Sequence, residues 1–235
     1  MIWALVPVKG FTAGKQRLAS VLTAEERQHL CRAMLEDVLR CLHGHPLIQQ
    51  VVLVSSDADV AEIAASQGIL CWTEEDLAAS GLNAVADAAA RRIEQQGGEE
   101  LMVVHGDLPL LSRESLSQLI SRHREGRRSN VTIAPDRHGE GSNVVISSPP
   151  TAIEFRFGAH SLACHCESAQ QRGVAVETFF CQDTGADIDT PEDLLELLSR
   201  KSESAGRASL NYLHDAGIAL RLMGARDLTA VTARR

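Results

Sequence analysis

The sequence predicts an α/β fold, a single domain built on a mostly parallel sheet with helices on both faces. Three observations carry that prediction. Short β-rich runs alternate with longer helical patterns, the order that parallel strands joined by crossover helices require. Hydrophobic residues make up 44% of the 235 positions and aromatics only 3%, enough for one substantial core of Ala, Val, Leu and Ile. The side chains capable of chemistry follow predicted strands, where the crevice of an open α/β sheet lies.

The elements follow in order. The apolar run Ile2–Val8 is the first strand, and it breaks into the Gly-containing loop "KGFTAGKQRL". A helix over Ala24–Leu42 has a clean start, because Thr23 caps it and Glu26, three residues on, reaches back. Strands at Gln50–Ser55 and Gly68–Trp72 flank a helix at Ala58–Ser66, with Asp57 and Asp59 as turn and cap residues. An Ala-rich helix at Leu82–Gln95 leads to the strand Leu101–His105, and a helix at Arg113–Arg124 to the strands Asn130–Ala134 and Asn143–Ser147. The helix Ser161–Arg172, the strand Val174–Phe180 and the helix Pro191–Arg200 complete a domain over residues 1–200. Past Arg200, "KSESAGR" is polar and Ser-rich, so residues 201–235 read as a linker and a C-terminal tail. The tail's apolar part, around Leu210–Met223, is suited to cover the sheet or pair with a second copy.

Charge narrows the partners. The formal net charge of −8 repels nucleic-acid backbones and leaves no basic face for an anionic membrane. No apolar stretch approaches the roughly 18 residues that a membrane span needs, and a strand follows Met1 directly, so a cytoplasmic location is expected. The six cysteines contain no C-x-x-C pair, and Cys164 and Cys166, two apart on a helix, point to different faces. They are read as structural or surface thiols, without disulfides.

The first loop is basic. Three residues separate Gly10 from Gly14, one short of the four in the ATPase phosphate loop, and Gln16 lacks the hydroxyl that such a loop gives to magnesium. The dinucleotide pattern G-x-G-x-x-G is also missing. What remains is a turn in which backbone N–H groups with Lys9, Lys15 and Arg17 can wrap a polyphosphate. Acidic residues supply the complement. Asp107 emerges past a buried strand in "HGDLPL", and in "TGADIDTPEDL" an extended backbone aims Asp187 and Asp189 to one side while burying Ile188. That is a half-cage for magnesium, which prefers oxygen ligands. A second role stands beside it: Asp189 or Thr190 caps the helix opening at Pro191, with Glu192 and Asp193 at its positive end.

With these pieces assembled, the chain resembles nucleotidyltransferases of the GT-A-like, Rossmann-like type, and more narrowly the guanylyltransferases of coenzyme F-420 biosynthesis. The resemblance rests on "VPVKGFTAGKQRL", "GLNAV", "HGDLPLL", "APDRHGEGSNVV", "FRFGAHSLACH" and "DIDTPEDL", in order over residues 5–194. It implies transfer of GMP from GTP to a small phosphorylated hydroxy acid, with release of pyrophosphate. It further implies magnesium on Asp107, Asp187 and Asp189, the acid on Asn143, Gly158 and Ser161, and the nucleoside against Gly81, Leu82 and Asn83. Asn83 also reads as a helix cap. Arg137 and Arg156 flank the matching motifs as candidate cations for the acid, whereas His138 is expected in solvent. The family's acids are 2-phospho-L-lactate, phosphoenolpyruvate and 3-phospho-D-glycerate, and the overall look favours the last. Some relatives carry Thr rather than Asn at 143, and "GEGSN" has Ser142 where "GTGTN" is common, which touches the choice of acid. A dimer is the usual family expectation.

The chemistry agrees with that implication. An acceptor phosphate is already ionised near neutrality, so no general base is needed, and the chain offers no Ser-His or Cys-His pair for nucleophilic work. The obstacle is charge: at an effective dielectric near 20, unit charges 4 Å apart repel by about 4 kcal/mol. Lys9, Lys15, Arg17 and magnesium are suited to remove it. Two alternatives remain at this stage, a cytidylyl- or sugar-phosphate nucleotidyltransferase of the same fold and a GTP-binding module without turnover.

Overall fold

The computed structural model describes residues 1–12, 14–126, 130–200 and 205–224. The strands are β1 (Ile2–Pro7), β2 (Ile48–Val54), β3 (Leu70–Trp72), β4 (Glu100–Val104), β5 (Asn130–Pro135), β6 (Ser142–Ser148) and β7 (Ala175–Thr178). They form one sheet in the order β3-β2-β1-β4-β6-β5-β7. Pairings β1–β2, β1–β4, β2–β3 and β5–β7 are parallel, while β6 runs antiparallel to both neighbours. The mostly parallel sheet is therefore mixed at one strand. The reason is local: β5 and β6 are joined by a short loop at 136–141, and a parallel crossover needs a dozen residues or more. Asp136 closes this loop by accepting the N–H groups of His138 at 3.1 Å and Glu140 at 3.0 Å. A side chain at Gly141 would run into the Asp136 carboxylate, so that position requires glycine.

The helices are α1 (Ala24–Leu42), α2 (Ala58–Gln67), α3 (Leu82–Gln95), α4 (Arg113–Arg124), α5 (Ser161–Gln171), α6 (Pro191–Ser199) and α7 (Arg207–Asp215). Strand alternation divides the core. Ile2, Ala4 and Val6 join Leu35, Leu39, Ile63 and Leu116 on one face, while Trp3 and Leu5 join Val85, Ala89, Ile93 and Phe155 on the other. The expected caps form: Thr23 and Glu26 make a reciprocal box on α1, and Asp57 caps α2. Thr190, rather than Asp189, caps α6, in a reciprocal box with Asp193.

The tail corrects one alternative. It packs on α1 instead of the sheet, and the part of the expected linker at 201–204 lies outside the described residues, as do 225–235. Asp37, with its side chain 1% exposed, accepts the Ala208 N–H at 2.8 Å, the Ser209 N–H at 2.9 Å and the Ser209 hydroxyl at 2.8 Å at the start of α7. Leu213 and Ile218 then enter a third apolar cluster with Leu18, Leu110, Ile188 and Leu194. Those last four residues sit within the Lys15, Asp107, Asp189 and Thr190 segments, so the tail braces the loops that carry the charged groups.

Candidate active site

The carboxyl ends of β1, β2, β3 and β4 open on one edge of the sheet, and the antiparallel β6 begins there, with Val144 opposite Val104. Asn143 is thereby brought beside the segment that follows β4. A cleft of about 610 Å³ lies over this edge, walled by the loops after β1, β3 and β4 and by the start of α3. Its β1 wall is fixed by Asp57, which accepts the Phe11 N–H at 3.3 Å besides capping α2.

Lys15 stands at the head of the cleft with φ 54° and ψ 45°, a left-handed conformation uncommon for a residue bearing a side chain. Its anchor is electrostatic. The ammonium donates to Asp107 Oδ2 at 2.5 Å and to Asp189 Oδ1 at 2.6 Å. The two acidic segments also join through the backbone, because the Ile188 N–H donates to the Asp107 carbonyl at 3.2 Å. Ile188 is buried between its two acidic neighbours, as the alternation predicts. Asn143 binds the third carboxylate, donating to Asp187 Oδ1 at 3.1 Å and to the Thr184 carbonyl at 3.0 Å. Two segments some 80 positions apart in sequence thus form one acidic floor.

The charges in this floor are strongly coupled. Burial alone would lower the Lys15 ammonium, but Asp107 and Asp189 outweigh it and raise its affinity for the proton. Burial would raise the Asp107 carboxyl, yet Lys15 and then the His105 ring hold it below the ordinary value. Asp187 is pushed up by burial; the Asn143 hydrogen bond opposes this, and the Asp107 and Asp189 carboxylates add to it. Lys15 pairs with two of the three clustered carboxylates but carries a single positive charge, which leaves the floor short of positive charge.

Among the described residues no three imidazole, thiol or carboxylate groups gather closely enough to enclose an ion, because the Lys15 ammonium stands between Asp107 and Asp189. The donor set nonetheless fits a hard cation. Asp107 Oδ1 is buried without a hydrogen-bond partner, and the Asp187 carboxyl is raised in part by its acidic neighbours.

The expected acceptor residues lie across β4 from this cleft. Phe157 packs against the His105 ring at 5.3 Å, and His165 supports this wall, accepting the Arg156 N–H at Nε2 (2.9 Å) and meeting the Ser142 hydroxyl at Nδ1 (3.0 Å). Gly158 has φ 126°, open to glycine and strained for other residues. Ser161 follows left-handed His160 (φ 55°) as the buried first residue of α5.

Several expected residues take other roles. Asn83 neither caps α3 nor lines the cleft. Its side chain clamps Phe157 instead, accepting the N–H at 2.7 Å and donating to the carbonyl at 3.1 Å. Gly81 and Leu82 do line the cleft, as do Lys9 and Lys15, whereas Arg17 is exposed on the short 3-10 helix Gln16–Ser20, away from the lining. Arg137 is engaged by α6, at 3.0 Å from Asp193 and 2.7 Å from Glu196. Arg156 is only 3.7 Å from Glu154 and stays half-exposed. His165, Thr184 and Asp37 escaped the sequence reading, because each acts through a partner distant in sequence.

The family model described as guanylyl transferase CofC like matches residues 2–235. The chain belongs to the CofC-like guanylyltransferase family. It is therefore an enzyme of the nucleotidyltransferase class. A phosphoenolpyruvate guanylyltransferase of Sphaerobacter thermophilus is 36% identical over 195 residues, 83% of this chain and 91% of that protein. A 2-phospho-L-lactate guanylyltransferase of Methanothermobacter thermautotrophicus is 32% identical over 213 residues, 89% of this chain and 90% of that protein. The fold recurs in a Desulfovibrio desulfuricans G20 protein described as a nucleotide-diphospho-sugar transferase, with a TM-score of 0.73 at 18% identity, covering 94% and 96% of the two chains. A 4-diphosphocytidyl-2C-methyl-D-erythritol synthase shares it with a TM-score of 0.58 at 12% identity, covering 83% and 96%. No helix among the described residues of this CofC-like chain is long and apolar enough to cross a membrane.

Proposed function

We propose that this chain transfers GMP from GTP to the phosphate of a small phosphorylated acid, releasing pyrophosphate and supplying an activated precursor for coenzyme F-420 in the cytoplasm. The observation that carries this reading is the acidic floor with its single lysine. Asp107 and Asp189 converge on Lys15 at the head of a cleft large enough for a nucleotide, with Asp187 beside them.

A phosphate oxygen of the acceptor attacks the α-phosphorus of GTP in line; the new P–O bond forms as the bond to the β-phosphate oxygen breaks, and pyrophosphate departs. Asp107, Asp187 and Asp189 would hold magnesium, whose chemistry here is to neutralise and orient phosphate oxygens. Lys15 and Lys9 offer positive charge to the triphosphate from the β1 loop. Asn143 fixes Asp187 against rotation, and Ser161 with the backbone at Gly158 offers donors to the acid. Arg137, tied to α6, is left as a positioning residue for the Asp187 segment, whose carbonyl its guanidinium meets at 3.4 Å.

Phosphoenolpyruvate and 2-phospho-L-lactate, the acids in the relatives' names, are the first acceptors to supply, with 3-phospho-D-glycerate third. The test is incubation of the protein with GTP, magnesium and each acid, reading pyrophosphate and the mass of the coupled guanosine diphospho-acid. Pyrophosphate with one of the three supports the reading. No coupled product from any of them overturns it.

A further inference from the structure

The cleft carries a second carboxylate that the reaction leaves without a task. Of the described residues lining it, only Asp107 and Glu74 are acidic. Asp107 belongs to the floor, whereas Glu74 lies after β3, three strands away in the order β3-β2-β1-β4. At about 4.8 Å per strand that separation is about 14 Å, beyond the Debye length of about 10 Å at 0.1 M salt. A carboxylate there faces the part of a nucleotide that is not phosphate.

Glu74 is held in place. Its Oε1 accepts the Gly81 N–H at 3.0 Å and its Oε2 accepts the Ser80 hydroxyl at 3.2 Å. The loop bearing it is a closed helical turn: Thr73 and Asp76 cap one another's backbone at 3.0 and 2.8 Å, and Ala78 is left-handed at φ 48°. Arg92 clamps the turn from α3, stacking on Trp72 at 4.4 Å and donating to the Asp76 carbonyl at 3.3 Å. Each carboxylate oxygen has two acceptor positions, and one on each oxygen is taken, so both retain one for a ligand.

We propose that Glu74 selects the base, accepting the ring N1–H and the exocyclic 2-amino group of guanine in two parallel hydrogen bonds. This rests on the GTP-dependent reading above. Guanine alone among the common bases presents two adjacent donors on that edge. Adenine and cytosine place a ring acceptor beside one amino group, and uracil flanks its single N–H with carbonyls that a carboxylate repels. A preorganised carboxylate discriminates among these without moving.

Calorimetric titration of the full chain with GTP and ITP, in magnesium at fixed ionic strength, tests this, because ITP lacks only the 2-amino group. The expected result is binding of GTP at least tenfold tighter than ITP, the effect of one charge-assisted hydrogen bond. Glu74→Gln, which keeps the size and one acceptor oxygen, then weakens GTP about tenfold to a hundredfold and ITP by less, so that the preference collapses. A preference that survives in Glu74→Gln, or equal weakening of both nucleotides, overturns the assignment. Should the melting point show that Glu74→Gln is unfolded, Glu74→Asp serves the same comparison, since its shorter arm cannot reach the base while holding Gly81. Wild-type protein that consumes GTP yet shows no GTP/ITP difference refutes the role of Glu74 alone. Wild-type protein that binds and consumes neither refutes both this role and the guanylyltransferase reading.

Discussion

Replacing Lys15 with Met removes the cation from the acidic floor and keeps most of the apolar volume of the side chain. The Lys15 side chain is 8% exposed, Asp107 29% and Asp189 41%. Stripping one partner from a buried ion pair costs about 3–5 kcal/mol, and partial exposure of Asp107 puts this pair at the low end. The Asp189 contact, more than a third exposed, adds no more than about 1 kcal/mol. A loss of about 3 kcal/mol corresponds to a fall of about 6–12 °C in melting temperature for a domain of this size. The assay is thermal unfolding without divalent cations at neutral pH, with Arg17→Met as a control; a substitution on the exposed turn is expected to stay within about 0.5 kcal/mol of wild type. Turnover of Lys15→Met should fall at least about 100-fold, the range for removing one positioned electrostatic group. A melting temperature within 2 °C of wild type, a threshold well below the effect worked here, would refute the argument that Lys15 holds the floor together.

Three further outcomes follow. Asn143→Ala leaves the Thr184 carbonyl and Asp187 Oδ1 without their donor, so it should cost about 1–3 kcal/mol in denaturant unfolding and lower turnover about 10–100-fold. Asp37→Ala removes the cap shared by three donors at the start of α7; unfolding should be easier by about 3–5 kcal/mol, and limited proteolysis should cut within the tail, while Asp37→Asn lies between. His123 and His165, both buried, have their imidazoles held down to about 4 chiefly by burial, so their contribution to stability is complete above pH 6.5 and lost as the pH falls from 6.5 towards 4. The expected loss is up to about 3 kcal/mol per histidine at pH 4, and His165→Gln, which still accepts from Arg156 and donates to Ser142, should flatten the slope of melting temperature against pH.

Much of the fold was legible because it is written in local pattern. The apolar run at Ile2–Pro7, the Thr23 and Glu26 box and the Pro191 start each depend on residues within one turn or one strand. The reversal of β6 was also written, in the shortness of the 136–141 loop, but strand periodicity is the same for both directions and does not announce it. The site was legible in its residue types and less so in their partnerships. Asp107, Asp187, Asp189 and Lys15 do gather. The sequence assigned Lys15 to phosphate and the carboxylates to metal, however, whereas the folded chain pairs them directly. Nothing local tells Asn83 to clamp Phe157, 74 residues away, or Asp37 to cap a helix 171 residues on. Such contacts arise from topology, which brings the start of α3 beside the 155–158 segment and lays the tail along α1. Arg137 reads as a substrate cation for the same reason: its partners on α6 are close only after folding.

The central claim is that carboxylates from two distant segments together grip a divalent cation that brings two phosphates into contact. Binding of Mn²⁺, followed by electron paramagnetic resonance with a non-hydrolysable GTP analogue present, tests it most directly. Wild-type protein should hold the ion, and Asp107→Asn and Asp189→Asn should each weaken it about tenfold or more while remaining folded. Undiminished Mn²⁺ affinity in both variants would contradict the account.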